Sequence, residues 1–417
     1  MVGLQPQKRQ AKIMGDVPAD AKRAYVAILL LGIVSLLGDV VYEGSRGLVT
    51  PYLALLGASA FIIAFAGRFG EFLGYTMRLV SGVLSDKTQA YWIFIFLGYG
   101  LIVSIPLLGF TGAWEIAIIL IVLERVGKAL RAPSRDAVLS IVSRGVGTGK
   151  AFGIHELMDQ VGAVFGPIIV AGLMLYSNNN YNQTFSFLLL PFLALLAALI
   201  YAYMKIGGVK EAKAPQVSEE ARRTWDIKLH KAFYIYTLSV TLSTIGLIPY
   251  ELILYSAYTI LTPEVQWVIP LLYMVIQLVD APSALFSGYA YDKFKIKILI
   301  LPFIISMIPP ILTLAGANML MLIFAAIFFG LVLGMQESVY RAAVSEYAPP
   351  LFRGTAYGIF NTTYGVGMLI SGTVYGLMVT LGIPIIMVIL YVVTTQIAAI
   401  ILLLEAHLKG RAENVKV

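Results

Sequence analysis

Two short stretches of the chain share one pattern, SGVLSDK at residues 81–87 and SGYAYDK at residues 287–293. Each follows an apolar run and ends in an acidic and then a basic residue, and Gly82 and Gly288 are 206 positions apart. A pattern that returns at a long, fixed offset is typical of a chain built from repeated units. The two stretches therefore predict that the chain consists of two related halves.

Further pairs of segments repeat within two positions of the same offset, on both sides of the first pattern. They are RDAV at 135–138 with RAAV at 341–344, GKAFGI at 149–154 with GTAYGI at 354–359, and Gly38, Tyr42 and Glu43 with Gly246, Tyr250 and Glu251. Parallel repeats with a binding site between them are a transporter architecture. We expect one unit at residues 1–206, a second at 231–417, and a polar linker at 207–230.

The composition places both units in a lipid bilayer. Of the 417 residues, 59% are hydrophobic and 13% are charged, and the mean hydropathy is +0.85, whereas about a quarter of a soluble domain is charged. Twelve apolar runs have the roughly 20 residues needed to cross the hydrocarbon layer. They lie near residues 24–56, 60–84, 90–111, 114–141, 150–176, 184–205, 231–260, 266–290, 297–315, 319–345, 354–380 and 383–405. We predict an all-α polytopic membrane protein with twelve transmembrane helices in two pseudo-symmetric six-helix bundles.

The basic residues orient the predicted spans in the membrane. Those outside the spans lie in the two tails and in loops on one side of the topology, and the others lie inside predicted spans: Arg46, Arg68, Arg78, Arg125, Lys128, Arg131, Arg135 and Arg341. Because cytoplasmic loops carry the excess of lysine and arginine, both termini and the linker are expected in the cytoplasm. The net charge of +7 thus reflects orientation, and no nucleic-acid partner is expected. We expect a multi-pass protein of the plasma membrane.

In its spans, repeat and loop pattern the chain resembles the major facilitator superfamily over essentially its whole length. Residues 82–87, GVLSDK, are similar to the G-x-L-A/S-D-R/K signature that this family carries in the loop after its second span. The resemblance implies a central cavity lined by the first, fourth, seventh and tenth spans. It also implies a transporter that works by alternating access.

The same loop pattern predicts a gate. A carboxylate at one helix end can cap the free amides at the N-terminus of a neighbouring helix, so we expect Asp86 to cap the eleventh span near Gly354 and Asp292 to cap the fifth near Gly149. Such contacts would form while the cytoplasmic side is closed and break when it opens. An arginine repeated in the fourth and tenth spans is expected to pair with these acids. The predicted gate is therefore Gly82, Asp86, Lys87, Arg135, Gly288, Asp292 and Arg341.

The fifth span contains regularly spaced glycines followed by a proline. Gly153, Gly162, Gly166 and Pro167 resemble the antiporter motif that proton-coupled exporters of the same family carry in this span. The alternative is that Gly162 and Gly166, four residues apart, are a packing surface for a neighbouring helix. Both interpretations remain open from the sequence.

The first span carries Asp39, Glu43 and Arg46 on one helical face. Each intramembrane charge costs about 2.5–3.5 kcal/mol at the bilayer centre on insertion scales and is a functional candidate. Two carboxylates in one low-dielectric cavity repel each other, so we expect one of them to bind a proton near neutral pH. The alternative is an internal ion pair between Glu43 and Arg46. The proton site is favoured because Glu251, at the repeat-related position, has no basic neighbour in its own helix.

The fourth span carries a charged stripe that cannot face lipid. Residues 125–132, RVGKALRA, are similar to the family's R-x-x-Q-G-x-G-A motif, which is implicated in proton coupling, although the Gln and two glycines are replaced here. Glu124 and Arg125 lie near mid-membrane when the helix is counted at 1.5 Å per residue. We expect this pair, together with Glu337 of the cavity-lining tenth span, to act in coupling or substrate binding.

Two further sets of charged residues lie in the second and fifth spans. His155 and Asp159 are spaced as i and i+4 and are a candidate proton relay. They share a helical stripe with the glycines of the fifth span, which favours a structural ion pair at a packed interface. Glu71 is expected to be compensated by Arg68 and Arg78 of its own span.

Together these features predict a secondary active transporter that exports a small organic or drug-like compound in exchange for protons. A uniporter or importer, or a non-transporting receptor or channel on the same fold, is the alternative. The charges do not form a catalytic set of nucleophile, base and orienting group, and the chain has no cysteine, so no enzyme activity, cofactor or metal is expected. The expected partners are a small-molecule substrate, protons and the lipid bilayer, and a monomer is expected.

Overall fold

The computed structural model describes residues 19–143, 146–207, 229–316, 318–348 and 353–414. Within these ranges the regular elements are helical, which confirms the predicted all-α class. The helices are α1 (Ala19–Leu55), α2 (Ala60–Thr88), α3 (Tyr91–Gly100), α4 (Ser104–Leu107), α5 (Trp114–Val142), α6 (Thr148–Tyr176), α7 (Tyr181–Phe187), α8 (Leu189–Ile206), α9 (Lys231–Gly246), α10 (Tyr250–Ile260), α11 (Ile269–Phe294), α12 (Ile300–Ile305), α13 (Ile308–Leu314), α14 (Met319–Met335), α15 (Arg341–Tyr347), α16 (Arg353–Thr380) and α17 (Ile385–Asn414). Residues 208–228 of the predicted linker lie outside the described residues.

Several of these helices continue into one another through short irregular segments. The 3-10 turns are Leu101–Val103, Leu108–Phe110, Pro263–Val268 and Lys295–Leu299, and a π-helical segment, Gln336–Tyr340, joins α14 to α15. In the described part of the chain, eight helical stretches are long and apolar enough to cross a membrane: Lys22–Leu55, Tyr91–Phe110, Thr148–Tyr176, Tyr181–Ile206, Lys231–Ile260, Pro263–Leu314, Met319–Tyr347 and Ile385–Gly410. Helices α2 and α5 are equally long, at 29 residues each, but carry charged side chains along their middle turns.

Helices α1 and α6 approach each other closely because glycines lie where they cross. A Cβ at Gly166 would lie 2.9 Å from the backbone nitrogen of Gly44, and one at Gly162 would lie 2.7 Å from the carbonyl oxygen of Leu36. A side chain at either position would force the helices apart. No atom lies within 4 Å of a Cβ placed on Gly153, so the glycines of the antiporter-like motif do not share one structural role.

The seventh predicted span is broken between α9 and α10, where Pro249 cannot donate a backbone hydrogen bond. Backbone groups freed inside a bilayer must be satisfied by the protein itself. Hydroxyl groups of α16 and α17 donate to the freed carbonyl oxygens: Tyr375 to Gly246 (2.6 Å), Tyr391 to Ile245 (3.1 Å), and Ser371 to Leu247. These hydrogen bonds therefore stabilise the break. Glu251 is the second residue of α10, the helix that begins directly after the break.

The buried hydrophobic side chains form separate cores in the two halves. The buried members of one core run from Ala27 to Ile206, and those of a second run from Leu229 to Ala406. A third core joins Ala60 and Ala64 of α2 to residues between 247 and 388. Helix α2 thus connects the two halves through apolar contacts.

Hydrogen bonds between the two halves close one end of the helix assembly. The Tyr181 hydroxyl donates to Gln266 (2.7 Å), and the Trp267 amide donates to Asn179 Oδ1 (2.8 Å). The start of α2 is joined to the end of α16 by the bond from the Phe61 amide to Thr380 Oγ1 (3.0 Å). These bonds join the two halves at the end of the assembly that contains the start of α2 and the C-terminal ends of α6, α10 and α16.

Candidate functional site

A polar cavity of about 350 Å³ lies between helices of the two halves, a volume typical of small-molecule sites. Its charged lining residues are Asp39, Glu43, Arg46, Arg68, Glu71, Arg78, Lys128, Arg131, Arg135, Asp136, Glu156, Asp159, Asp280, Glu337 and Arg341. Of the predicted site residues, Glu124, Arg125 and Glu251 instead line an adjacent space of about 30 Å³, which has room for about two water molecules.

The cavity extends away from the closing hydrogen bonds, toward the opposite ends of the helices. Tyr250 and Tyr273 line it on the closed side. Arg135, near the end of α5, and Glu156, near the start of α6, line it on the other side, together with Arg341. The cavity is thus sealed toward one membrane face and extends toward the other.

Glu43 is held by donors from three helices. Its carboxylate lies 3.2 Å from Arg46 Nε and 3.4 Å from Lys128 Nζ, and it accepts a 2.6 Å hydrogen bond from the Tyr273 hydroxyl. The ion pair with Arg46, which the sequence left as an alternative, is therefore present. These three donors compensate the charge of an ionised Glu43 carboxylate.

The ion pairs continue from Glu43 through α2 into α5. Glu71 lies between Arg46 (3.2 Å) and Arg125 (3.4 Å). Glu124 in turn lies between Arg125 (3.3 Å) and Arg131 (3.4 Å). The expectation that Glu71 is compensated by arginines of its own span is wrong, because its partners come from α1 and α5.

Glu251 forms a buried ion pair across the two halves. Arg68 Nη2 lies 2.7 Å from Glu251 Oε2, and both side chains are buried. The Arg68 guanidinium also lies over the Tyr250 ring, 5.2 Å from its centroid. The sequence reasoning considered only the helix of Glu251 and so missed its basic partner, which comes from α2.

Asp39 differs from these acids because it is buried, with 4% of its surface exposed, but forms no ion pair within 4.0 Å among the described residues. It lies one turn from Glu43 on α1 and lines the cavity. Its Cβ is close to Gly162 of α6, where an added methyl group would lie 2.7 Å away. The buried acid on the N-terminal side of the cavity that lacks a counter-ion is therefore Asp39.

Arg135 belongs to a second set of contacts nearer the open side. It lies 3.0 Å from Asp136 and 3.5 Å from Asp159, and it donates to Ser35 Oγ at 2.9 Å. The His155 Nδ1 atom lies 3.5 Å from Asp159. His155 and Asp159 are thus part of a helix-packing cluster with Arg135, as the structural alternative predicted.

The predicted gate contacts are not formed in this structure. Asp86 is exposed and accepts a 2.9 Å hydrogen bond from the Tyr91 hydroxyl at the start of α3. Asp292 is exposed. Apart from the chain neighbours and helix backbone of each glycine, no atom lies within 4 Å of a Cβ placed on Gly354 or Gly149. The pairing of Arg135 with Asp86 is replaced by its contacts with Asp136 and Asp159. Helices α2 and α16 are nevertheless in contact near this end, because a Cβ placed on Gly358 would lie 3.7 Å from Leu79 Cδ2.

The remaining gate residues lie around the same end of the helices. A Cβ placed on Gly82 would lie 3.6 Å from Pro133 Cβ of α5, and one placed on Gly288 would lie 3.0 Å from Ser338 Oγ. Lys87 is exposed, and Glu337 and Arg341 are exposed to the cavity. Pro167 is buried inside α6 directly after Gly166.

Three acids of the cavity lining were not among the predicted site residues, Asp136, Glu156 and Asp280. The buried one of these is Asp280 on α11. Its side chain lines the cavity, and the residue is only 3% exposed. The signal was present in the sequence, because Asp280 is a lone charge in the apolar run at 266–290. The roles of Lys128 and Tyr273 as donors to Glu43 were also missed, since spacing along one helix does not show which neighbour it faces.

Comparison with known proteins places the chain in a family. Residues 28–372, and in a second match residues 233–416, fit the family model described as Major Facilitator Superfamily. The chain belongs to the Major Facilitator Superfamily. This confirms the family predicted from the repeat and the loop signature.

Two relatives match this chain over most of their own length. An uncharacterized protein from Mycobacterium tuberculosis is 31% identical over 395 residues, which cover 93% of this chain and 94% of that protein. An uncharacterized MFS-type transporter from Methanocaldococcus jannaschii is 27% identical over 360 residues, which cover 84% of this chain and 87% of that protein.

Solved structures with low sequence identity share the fold. A point mutant of the peptide transporter POT matches with a TM-score of 0.72 at 14% identity, covering 92% of this chain and 95% of that one. A point mutant of the nucleoside transporter NupG matches with a TM-score of 0.70 at 15% identity, covering 92% and 99%. Family membership, with the apolar helices, indicates a membrane-embedded transporter of small solutes and not an enzyme.

The ion pair between Arg68 and Glu251 can be tested through stability. Glu251→Gln leaves the buried Arg68 guanidinium without its acid, and breaking a buried pair in this way costs roughly 3–5 kcal/mol. We expect a lower midpoint of thermal unfolding for the purified variant in detergent. Glu115→Gln, which neutralises an exposed acid in the first turn of α5, is the matched control and should leave the midpoint unchanged. Equal midpoints for the two variants would contradict the assignment.

Proposed function

We propose that this superfamily member exports a small organic or drug-like solute in exchange for protons, by alternating access. The observation that carries the proposal is the pairing of the cavity charges. The acids Glu43, Glu71, Glu124 and Glu251 each have a basic partner within 4.0 Å, while Asp39 lines the cavity without one.

The proposed architecture is twelve transmembrane helices in two six-helix bundles, with domains at residues 1–206 and 231–417. The separate buried cores of the two halves support this division, as does the second family match over residues 233–416. In this proposal the helices broken by 3-10, π or proline segments count as single spans. Both termini are cytoplasmic, the protein is a monomer of the plasma membrane, and the cavity opens to the cytoplasm.

The proton is assigned to Asp39 by the balance of charge around it. The neighbouring network contains the cations Arg46, Arg68, Arg125, Lys128 and Arg131 and the paired acids Glu43, Glu71, Glu124 and Glu251. These are five cations and four acids, and the adjoining cluster adds the cation Arg135 with the acids Asp136 and Asp159. An ionised Asp39 therefore gives the two sets together one negative charge, and a protonated Asp39 leaves them neutral. Charge inside a low-dielectric site is costly, so the protonation of Asp39 is coupled to the charge of whatever else occupies the cavity.

Alternating access requires the contacts that close one side of the cavity to break and new contacts to form on the other side. The bonds of Tyr181 with Gln266 and of Asn179 with Trp267 close the outer side and must break when it opens. In that state the cytoplasmic helix ends come together, and Asp86 and Asp292 become able to cap the starts of α16 and α6.

The proposed direction of transport is export. The antiporter-like motif of Gly153, Gly162, Gly166 and Pro167 supports this direction by resemblance. Its two central glycines also pack α6 against α1, the helix that carries Asp39. We propose that this close packing transmits a change at Asp39 to the movement of α6.

The proton assignment is tested with Asp39→Asn in proteoliposomes, using a substrate identified by thermal-shift screening of the wild type. The variant should lose accumulation of this substrate driven by an imposed pH gradient. It should keep substrate exchange at equal pH, since exchange needs only the conformational change. Glu115→Gln is the control for both assays. Unchanged gradient-driven accumulation in Asp39→Asn would remove the assignment, and flux without saturation would indicate a channel.

The gate is tested with Asp86→Asn, which keeps the shape of the side chain and removes the charge that interacts with the helix dipole. We expect slower transport at normal expression and an unchanged unfolding midpoint, because Asp86 is exposed in this structure. Glu405→Gln, at a half-exposed acid near the end of α17, is the control. Wild-type transport rates in Asp86→Asn would show that the cap is not part of the cycle.

A further inference from the structure

Asp280 is a buried acid without a protein counter-ion on the C-terminal side of the cavity. The residue is 3% exposed, and its Oδ1 atom is buried with no hydrogen-bond partner. Within the described ranges, no basic side chain lies within 4.0 Å of its carboxylate. An ionised carboxylate that is taken out of water and left unpaired is strongly destabilised, so Asp280 must either bind a proton or be paired with a cation from outside the chain.

The position of Asp280 is fixed by close packing of α11 against α14. The Ser283 hydroxyl donates to the Leu331 carbonyl oxygen at 2.7 Å. A Cβ on Gly334 would meet the backbone of Asp280 and Ala284, so the two helices touch one turn before Glu337. These contacts build a rigid wall that presents Asp280 to the cavity.

A second acid, Glu337, lies on the same wall. It belongs to the π-helical segment that follows α14, a distortion that is frequent at functional sites. Asp280 and Glu337 both line the cavity, together with the amide of Gln277 and the aromatic ring of Phe329. Acidic and aromatic side chains are the groups that bind ammonium ions in proteins.

Among the described residues, the basic side chains of the cavity form no ion pair within 4.0 Å with Asp280 or Glu337. Arg46, Lys128 and Arg131 belong to the N-terminal half, and each already has an acid of that half within 4.0 Å. Arg341, the basic residue of the C-terminal half that lines the cavity, forms no ion pair within 4.0 Å with either acid among the described residues. The two sides of the cavity thus differ among the described residues. On the N-terminal side the unpaired buried acid Asp39 lies beside a network of ion pairs, whereas on the C-terminal side neither Asp280 nor Glu337 forms an ion pair within 4.0 Å.

We propose that Asp280, assisted by Glu337, binds a positively charged group of the transported solute, such as an ammonium. The inference rests on the proposed transport function and names its substrate class as organic cations, or solutes with a cationic end. The solute enters the 350 Å³ cavity and supplies the charge that Asp280 lacks. Asp39, on the opposite side of the cavity, remains the proposed proton-binding residue.

The experiment uses ligands of nearly equal shape and different charge: 2-phenylethylammonium, 2-phenylethanol and phenylacetate. Binding to the purified full chain in detergent is measured from the midpoint of thermal unfolding at increasing ligand concentration. We expect the cation to raise the midpoint and the neutral and anionic analogues to have little effect. The apparent affinity for the cation should fall by about 30-fold or more in Asp280→Asn, as when one partner of a buried charge pair is lost.

Two further variants keep the experiment interpretable. Glu337→Gln changes an exposed cavity residue, is expected to fold normally, and should weaken cation binding by several-fold. Glu405→Gln, outside the cavity, should bind like the wild type. If Asp280→Asn does not give a folded protein, Glu337→Gln alone decides, because an unchanged affinity there contradicts the shared site.

Several results would overturn the inference. They are equal affinity for the cation in wild type and Asp280→Asn, tighter binding of phenylacetate than of the cation, and no response to the cation at all. Loss of pH-gradient-driven flux in Asp280→Asn with cation affinity kept would instead make Asp280 a proton site. Binding in detergent needs no proton gradient. Cation binding at Asp280 in a protein that shows no proton-driven flux would therefore contradict the proposed exchange with protons and still support the cation site.

Discussion

The buried ion pairs are the constraint on which the rest of this structure depends. An ionised side chain removed from water costs several kcal/mol unless a partner of opposite charge lies beside it. Arg46 is shared by Glu43 and Glu71, Arg125 by Glu71 and Glu124, and the chain of contacts passes through α1, α2 and α5. These helices cannot rotate or slide independently without exposing a charge to lipid.

The same constraint joins the two halves. Tyr273 of α11 donates to Glu43, and Glu251 of α10 pairs with Arg68 of α2. Both contacts depend on local backbone features, since Glu251 follows the break after α9 and that break is stabilised by hydroxyl groups from α16 and α17. A conformational change that opens the closed side must therefore separate or exchange charged partners. Two buried acids, Asp39 and Asp280, lack a basic partner within 4.0 Å among the described residues. A proton or a cationic solute that binds to either acid changes the net charge of the cavity.

Much of the architecture follows from the sequence alone, because hydrophobic length and the internal repeat are properties of the chain itself. The all-α class, the family, and the placement of Asp39, Glu43 and Glu337 on the cavity were predicted in this way. The pairing of charges was not, since partners such as Arg68 and Glu251 are 183 positions apart and depend on helix rotation. Asp280 was overlooked because its repeat mate carries no acid and no motif surrounds it. The gate contacts predicted for Asp86 and Asp292 are not formed in this structure, since both acids are exposed and contacts between helix ends depend on how the helices are arranged in space.

The central claim is that Asp39 carries the exchangeable proton while Glu43 remains ionised in its ring of donors. Infrared difference spectra of the purified protein, recorded as the pH is stepped through neutrality, report directly on protonated carboxyl groups. We predict a titrating carboxylic acid band in the wild type that is absent from Asp39→Asn and retained in Glu43→Gln. A band that persists in Asp39→Asn and disappears in Glu43→Gln would contradict this account.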